Sequence, residues 1–249
     1  FHRGVALAAI EHGVHVLVEK PIAPAPEEAR ELVRAAERAC VVLQVGHIER
    51  FGPAMRAAAG VLDDPQFVEA HRLGIFVPRG TDVAVVLDLM IHDIDLVLST
   101  VRSPVSRVDA VGIPVLSPTV DIANARISFE NGCVANLTAS RVSREKVRKI
   151  RFFQRDAYVS VDSLAPKVQV LRKRDVPKDH LHRIASGEVE GGLEDIVDLR
   201  ELPLDDEEPL KLELAAFAQA ASGEAEPVVT GMDGARSLEV ALEVLRQIG

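Results

Sequence analysis

The stretch VHVLVEKPIAPAPEEARELVRAAERACVVLQVG, residues 14–46, decides the fold. Val14 to Val18 is β-branched and apolar on both faces apart from His15, as a strand buried inside a parallel sheet reads, and Pro21 stops it. In PEEARELVRAAERA, Pro26 suits a first helical position, and Glu27 and Glu28 favour the positive end of the helix dipole. Ala29, Leu32, Val33, Ala36 and Cys40 give that helix one apolar stripe. Val41 to Val45 predicts a second short buried strand, ending at Gly46. Strand, helix, strand in this order is the right-handed crossover of a doubly wound α/β sheet.

Upstream, residues 4–12 carry helical spacing through Val5, Ala8, Ala9 and His12, and Gly13 stands where a helix end wants a left-handed residue. The chain begins at Phe1 directly in this helical pattern, which reads as a piece of something longer. Downstream, a helix at roughly 52–60 closes the parallel part. Alternating segments then follow at about 66–77, 105–113, 121–129, 132–142, 147–161 and 167–174, with Asn131-Gly132 as a hairpin signal. One helix, about Val83 to Val101, interrupts them; residues 175–206 read as charged loop, and helices at about 207–222 and 231–247 finish the chain. The expectation is a parallel α/β part over residues 1–62 and an α+β part with a large, mostly antiparallel sheet over 63–249. Its outward face is expected to carry Ile127, Phe129, Val134 and Leu137 and to pair with a second subunit.

The 249 residues suffice for one large or two modest domains with a real core. Apolar residues make up 47%, which argues against long disorder. With 29 basic and 38 acidic residues the formal charge is −9, so nucleic acid and anionic membrane are disfavoured as partners. A small anionic ligand needs only a few local Arg or Lys. No apolar run approaches the roughly 20 residues of a membrane span, and no basic-then-apolar leader opens the chain. Cys40 and Cys133 read as two buried thiols in a reducing cytoplasm, with a disulfide as the alternative.

Two constellations carry chemistry. Glu19-Lys20-Pro21 stands at the carboxyl end of the first strand, where parallel α/β sheets bind ligands. A lysine there can reach a ligand, and its peptide bond to Pro21 is a place for a cis bond. The plain alternative is the first solvated pair after a buried strand. In VAVVLDLMIHDIDLVLSTV, residues 83–101, Asp88 and His92 are four apart and share a helix face, with Asp95 near it. A carboxylate beside an imidazole raises its proton affinity and suits it to taking a proton from an alcohol. The plain alternative is a surface ion pair, and the very apolar setting speaks against it. His47 and Arg50 follow the second strand at the same sheet edge, His47 the better placed to face the cleft. The eight histidines include no HExxH, and His180-x-His182 lacks an obvious third ligand, so a metal site is not expected.

HVLVEKP, QVGHIERF and LDLMIHDID, in that order, resemble the Gfo/Idh/MocA oxidoreductases, and the resemblance runs to ELAAFAQAASGEAEPVVTGMDGARSLEVAL at residues 213–242. It implies the C-terminal part of a Rossmann-type domain followed by the α+β domain, with NAD or NADP as cofactor. It implies Lys20, Asp88 and His92 around the carbon being oxidised, and His2, Glu19, Lys20 and Pro21 near the cofactor. The family's Gly-x-Gly-x-x-Gly turn is not among these residues, and the family's first three strands would precede Phe1. FVPRGTDVAVVLDLMIHDIDL, residues 76–96, is most similar to members that oxidise the 3-hydroxyl of a UDP-N-acetyl-hexosamine, with Arg79 a candidate substrate contact beside His47 and Arg50. An inositol or simple-sugar dehydrogenase, or a sugar-sensing regulator without turnover, are the alternatives. Family members also imply a homodimer or homotetramer through the antiparallel sheet.

Overall fold

The structure is a computed structural model that describes residues 2–78, 80–177, 183–184, 186, 188 and 192–249. Helix α1 (His2–Glu11) ends on Gly13, which takes the left-handed conformation expected of it, φ 72°. Strand β1 (Val16–Glu19), helix α2 (Pro26–Ala39) and strand β2 (Leu43–Gly46) follow, and β1 pairs with β2 in parallel, Val16 opposite Leu43 and Glu19 opposite Gly46. Cys40 does not continue the stripe of α2. It caps the helix in the left-handed conformation, φ 52°, and is exposed, so only Cys133 of the two free thiols is buried.

A 3-10 turn (Ile48–Phe51) and helix α3 (Pro53–Ala59) lead into the large sheet. Its strands are β3 (Phe67–Leu73), β4 (Val105–Ile113), β5 (Ile122–Phe129), β6 (Val134–Ser140), β7 (Val147–Phe153), β8 (Ala157–Asp162), β9 (Lys167–Lys173) and β10 (Val197–Glu201). Their order is β10-β9-β8-β7-β3-β6-β5-β4, antiparallel except for the β3–β6 pair. The segment read as one strand over 147–161 is two, because Gln154 N donates to Ala157 O across a tight turn. A strand also forms inside the segment read as loop: β10, reached from the short helical turn α5 (Leu193–Ile196), pairs with β9 at the sheet edge.

The outward face differs from expectation. Ile127, Phe129 and Leu137 are 0%, 3% and 0% exposed and point into the core. Alternation is two-sided, and the facing helices show which set turns inward. The outer set is polar: Asn124 Nδ2 donates to Thr138 Oγ1 (2.9 Å), Arg151 pairs with Glu69 (2.9 Å) and Lys149 with Asp162 (3.3 Å). Of the four residues named, only Val134 lies on that face. A tilted trio of Phe67, Phe153 and Tyr158 is its aromatic part, with centroids 5.5 and 5.0 Å apart.

Two cores result, one around α1, α2, β1 and β2, the other between the large sheet and helix α4 (Ile91–Val101). After helix α6 (Pro209–Ala221), the last helix, α7 (Gly231–Ile248), joins them: Ala235 and Leu238 enter the first core, Ala241 and Val244 the second. A reciprocal capping box between Thr230 and Asp233 starts α7. Gly234 lets it lie against β2, since a Cβ there would stand 2.5 Å from a Val45 methyl.

Candidate active site

Lys20 leaves the end of β1 through a cis Lys20–Pro21 bond, and the Pro21 carbonyl accepts from His2 Nδ1 at 3.0 Å. The Lys20 ammonium turns to the segment before α4. That segment is not a plain α-helix: Val86–Met90 forms one wide π turn. Such turns occur inside α-helices and re-aim the groups they carry. Lys20 Nζ donates to the Asp88 carbonyl at 2.6 Å and stands 3.8 Å from Asp88 Oδ1. Burial holds the ammonium below its ordinary value, with Asp88 and Glu19 pulling the other way.

Asp88 therefore serves Lys20 and does not pair with His92. The wide turn alters the angular offset that places i and i+4 one above the other in a regular helix. The expected rise in imidazole basicity is reversed: His92 is pushed well below its ordinary value, first by burial, then by Arg72, Lys20, His47 and Arg148. His92 Nδ1 is buried without a hydrogen-bond partner among the described residues. A neutral imidazole beside an ammonium results, a base and a cation side by side.

Two buried ion pairs, neither expected, hold this helix. Arg72 of β3 grips Asp93 with two bonds of 2.9 and 2.8 Å and Glu49 with a third of 2.8 Å. Burial works against the Arg72 charge, and Asp93 and Glu49 outweigh it. Arg50 grips Asp95 with two bonds of 2.7 Å, and Ser237 of α7 adds one of 3.2 Å. Asp95 thus faces the 3-10 turn after β2 and α7. The sequence signal was there in the acidic residues of IHDIDL, but their partners lie 21 and 45 positions away.

The remaining candidates are placed as follows. His47 is 1% exposed and stands behind His92, ring centroids 6.3 Å apart and nearly perpendicular, so it does not front the cleft. Burial lowers its pKa, against Asp95. Arg50 lines two cavities of about 460 and 690 Å³, neither of which is lined by Lys20, Asp88 or His92. The Glu19 carboxylate rests over Gly46, where a Cβ would meet its oxygens at 3.0 Å. Arg79 and the pair His180 and His182 lie outside the described residues; among those described, no three His, Cys, Asp or Glu gather to hold a metal. One further group was not anticipated: Glu213 of α6 is buried, and burial, with Glu19 adding, raises it to about 7.

These residues fit the nicotinamide end of a dinucleotide. A half-buried cation and a carboxylate over Gly46 stand at the carboxyl edge of a parallel pair, with an orphaned imidazole nitrogen on the helix that the cation faces. No glycine-rich phosphate turn stands among the 249 residues, so nothing here assigns a pyrophosphate cradle.

Comparison with known proteins agrees. The family model described as "Oxidoreductase family, NAD-binding Rossmann fold" matches residues 1–47, and the "GFO/IDH/MocA C-terminal domain" matches 56–158. UDP-N-acetylglucosamine 3-dehydrogenase of Acidithiobacillus ferrooxidans is 38% identical over 98% of the chain and 74% of its own length. The solved structure of that protein superposes with TM-score 0.87 and 34% identity, over 99% of this chain and 75% of the other. An inositol dehydrogenase homolog from Azotobacter vinelandii, solved with NADH and myo-inositol, shares the fold at TM-score 0.78 and 17% identity, over 99% and 72% of the two chains.

Proposed function

The chain belongs to the Gfo/Idh/MocA family of NAD-dependent oxidoreductases, and on that premise we propose that it oxidises the 3-hydroxyl of a UDP-N-acetyl-hexosamine at Lys20 and His92. The observation that carries this is a half-buried Lys20 ammonium bonded to Asp88 of the π turn, with a buried imidazole of lowered pKa, His92, just after that turn. The substrate follows from the named activity of the 38% identical relative.

When bound, NAD supplies the acceptor for the hydride of the carbinol carbon, which leaves the hydroxyl proton to the protein. His92 takes that proton; its lowered pKa keeps it free to accept near neutral pH. Lys20 donates to the oxygen as it becomes a carbonyl. Asp88 positions Lys20 through its carbonyl and carboxylate, and the carboxylate, 48% exposed, is open to a sugar hydroxyl. His2, Glu19 and Pro21 border the nicotinamide end.

We divide the chain into a dinucleotide-facing part, 1–62, and a substrate-facing part, 63–249, with α7 packed on both. No helix among the described residues is long and apolar enough to cross a membrane. Two free thiols support a cytoplasmic setting. The polar outer face of the large sheet, with its Phe67–Phe153–Tyr158 trio, is the surface through which we expect two subunits to pair.

The test uses the full-length enzyme and nicotinamide absorbance. UDP-N-acetylglucosamine should outperform myo-inositol and free hexoses, and His92→Asn should lower kcat about 10²-fold or more. Turnover of free sugars alone would overturn the substrate, and near-normal turnover in His92→Asn would remove His92 from proton transfer.

A further inference from the structure

His92 lacks what a catalytic imidazole ordinarily has, a carboxylate holding its second nitrogen. Its Nδ1 is buried and has no partner among the described residues, and the same holds for both ring nitrogens of His47. Burying a polar group without a partner costs about 1–3 kcal/mol, so three such nitrogens in neighbouring rings call for a common use. The ring centroids are 6.3 Å apart and nearly perpendicular, and polar contacts beyond direct hydrogen-bond reach are commonly carried by a bridging water. Behind His47 stands a carboxylate: Asp95 Oδ2 lies 3.9 Å from His47 Nδ1, fixed by its two bonds to Arg50 and one from Ser237.

We infer that His47 is a positioning residue that works through His92, fixing its tautomer and carrying the substrate's proton onward toward Asp95. This rests on the reading of His92 as the base. The step moves one proton and no electrons. His92 Nε2 accepts the hydroxyl proton, Nδ1 gives its proton through the bridge to one nitrogen of His47, and the other nitrogen of His47 gives its own toward Asp95.

The charges around the two rings favour this direction. After burial, the largest influences on His92 are Arg72 of β3, Lys20 after β1, His47 and Arg148 of β7, each of which opposes a positive charge there. Those acting on His47 are Asp95 of α4 and Asp233 of α7, which favour a positive charge, against Arg50 of the 3-10 turn and Lys20. Burial opposes a charge on both rings, and on His47 the carboxylates of Asp95 and Asp233 work against it. Arg50, which holds Asp95, lines the larger cavity together with Asp233.

The experiment compares His47→Phe and His47→Gln in the full-length holoenzyme, reading kcat, KM, the solvent deuterium isotope effect on kcat, and NAD affinity by fluorescence titration. His47→Phe should lower kcat about tenfold and enlarge the isotope effect, with KM and NAD affinity unchanged. His47→Gln, which keeps a polar group for the bridge, should recover part of the loss, and it decides the matter should the Phe variant not fold. A normal kcat and isotope effect in His47→Phe overturns the inference. Equal losses in both variants together with weakened NAD affinity also overturn it, since they mark a purely structural role. His92→Asn run alongside separates the two readings: normal turnover there removes the base itself, whereas its failure beside an unaffected His47 variant removes only the relay.

Discussion

Arg72 and Asp93 form a buried pair beneath His92, and replacing one half or the other should move the imidazole pKa in opposite directions. After burial, Arg72 is the largest influence holding the His92 pKa down. Arg72→Met removes it, so the His92 pKa rises. Asp93→Asn leaves Arg72 opposed by Glu49 alone, so the positive potential at His92 grows and its pKa falls further. A neutral base loses activity as the pH drops through its pKa. The acid limb of the kcat profile should therefore move to higher pH in Arg72→Met and to lower pH in Asp93→Asn.

Stability should fall in both variants. Arg72 and Asp93 side chains are 5% and 8% exposed, and breaking such a pair leaves a buried charge without its partner, a loss of about 3–5 kcal/mol. Arg72→Met belongs at the upper end, because it strands Glu49, 12% exposed, as well as Asp93. Asp93→Asn belongs at the lower end, because its amide oxygen still accepts from Arg72. At about 2–4 °C per kcal/mol for a chain of this size, melting should drop by roughly 6–20 °C. Calorimetry and pH–rate profiles on the same full-length preparations make the measurement. Limbs that move the same way, or do not move while both melts fall, would refute His92 as the titrating base.

Further outcomes follow from other buried groups. Glu213, raised by burial to about 7, keeps its proton in the fold while the unfolded chain releases it near the ordinary 4.5. The fold therefore loses stability as pH rises between those values, and Glu213→Gln should flatten that part of a melting-temperature profile; an unchanged slope would count against the raised pKa. Gly234→Ala puts a methyl 2.5 Å from Val45 and should cost about 1–3 kcal/mol by overpacking, read in a denaturant melt. Cys40, exposed, should react with a maleimide in the native protein, whereas Cys133, buried and raised to about 11, should react only after unfolding; mass spectrometry of the labelled peptides distinguishes them.

The elements most legible in the sequence are those whose burial is periodic and local. Val14 to Val18 and Val41 to Val45 announced a parallel pair, and Asn131-Gly132 announced a hairpin that closes with Phe129 N donating to Cys133 O at 2.9 Å. What stayed hidden depends on distant partners or on irregular geometry. β10 has five residues and pairs on one edge only, so its alternation of Val197 and Leu199 is drowned by charge. Asp88 and His92 were found as chemistry-bearing residues, but their mutual geometry was read from a regular helix, and nothing in VLDLM marks a π turn. Ile127 and Leu137 were recognised as one face of a sheet; which face covers the core depends on where α4 lies.

The charges on α4 and its π turn explain why so apolar a segment carries four polar groups in eight residues. The three carboxylates tie the segment to different parts of the fold: Asp88 to Lys20 after β1, Asp93 to Arg72 of β3, Asp95 to Arg50 and to Ser237 of α7. Buried ion pairs add little net stability over apolar replacements of the same volume, because desolvation offsets their attraction. Their two-bond geometry instead fixes register, since a helix rotated or slid by one residue would lose both pairs at once. Apolar packing against the sheet tolerates small slides far better. Lys20 belongs to the small parallel sheet and His92 to the helix beneath the large one, so their spacing is set across two cores. The pairs at Asp93 and Asp95 are what hold that spacing, and they stand directly beside the one residue, His92, whose position the chemistry depends on.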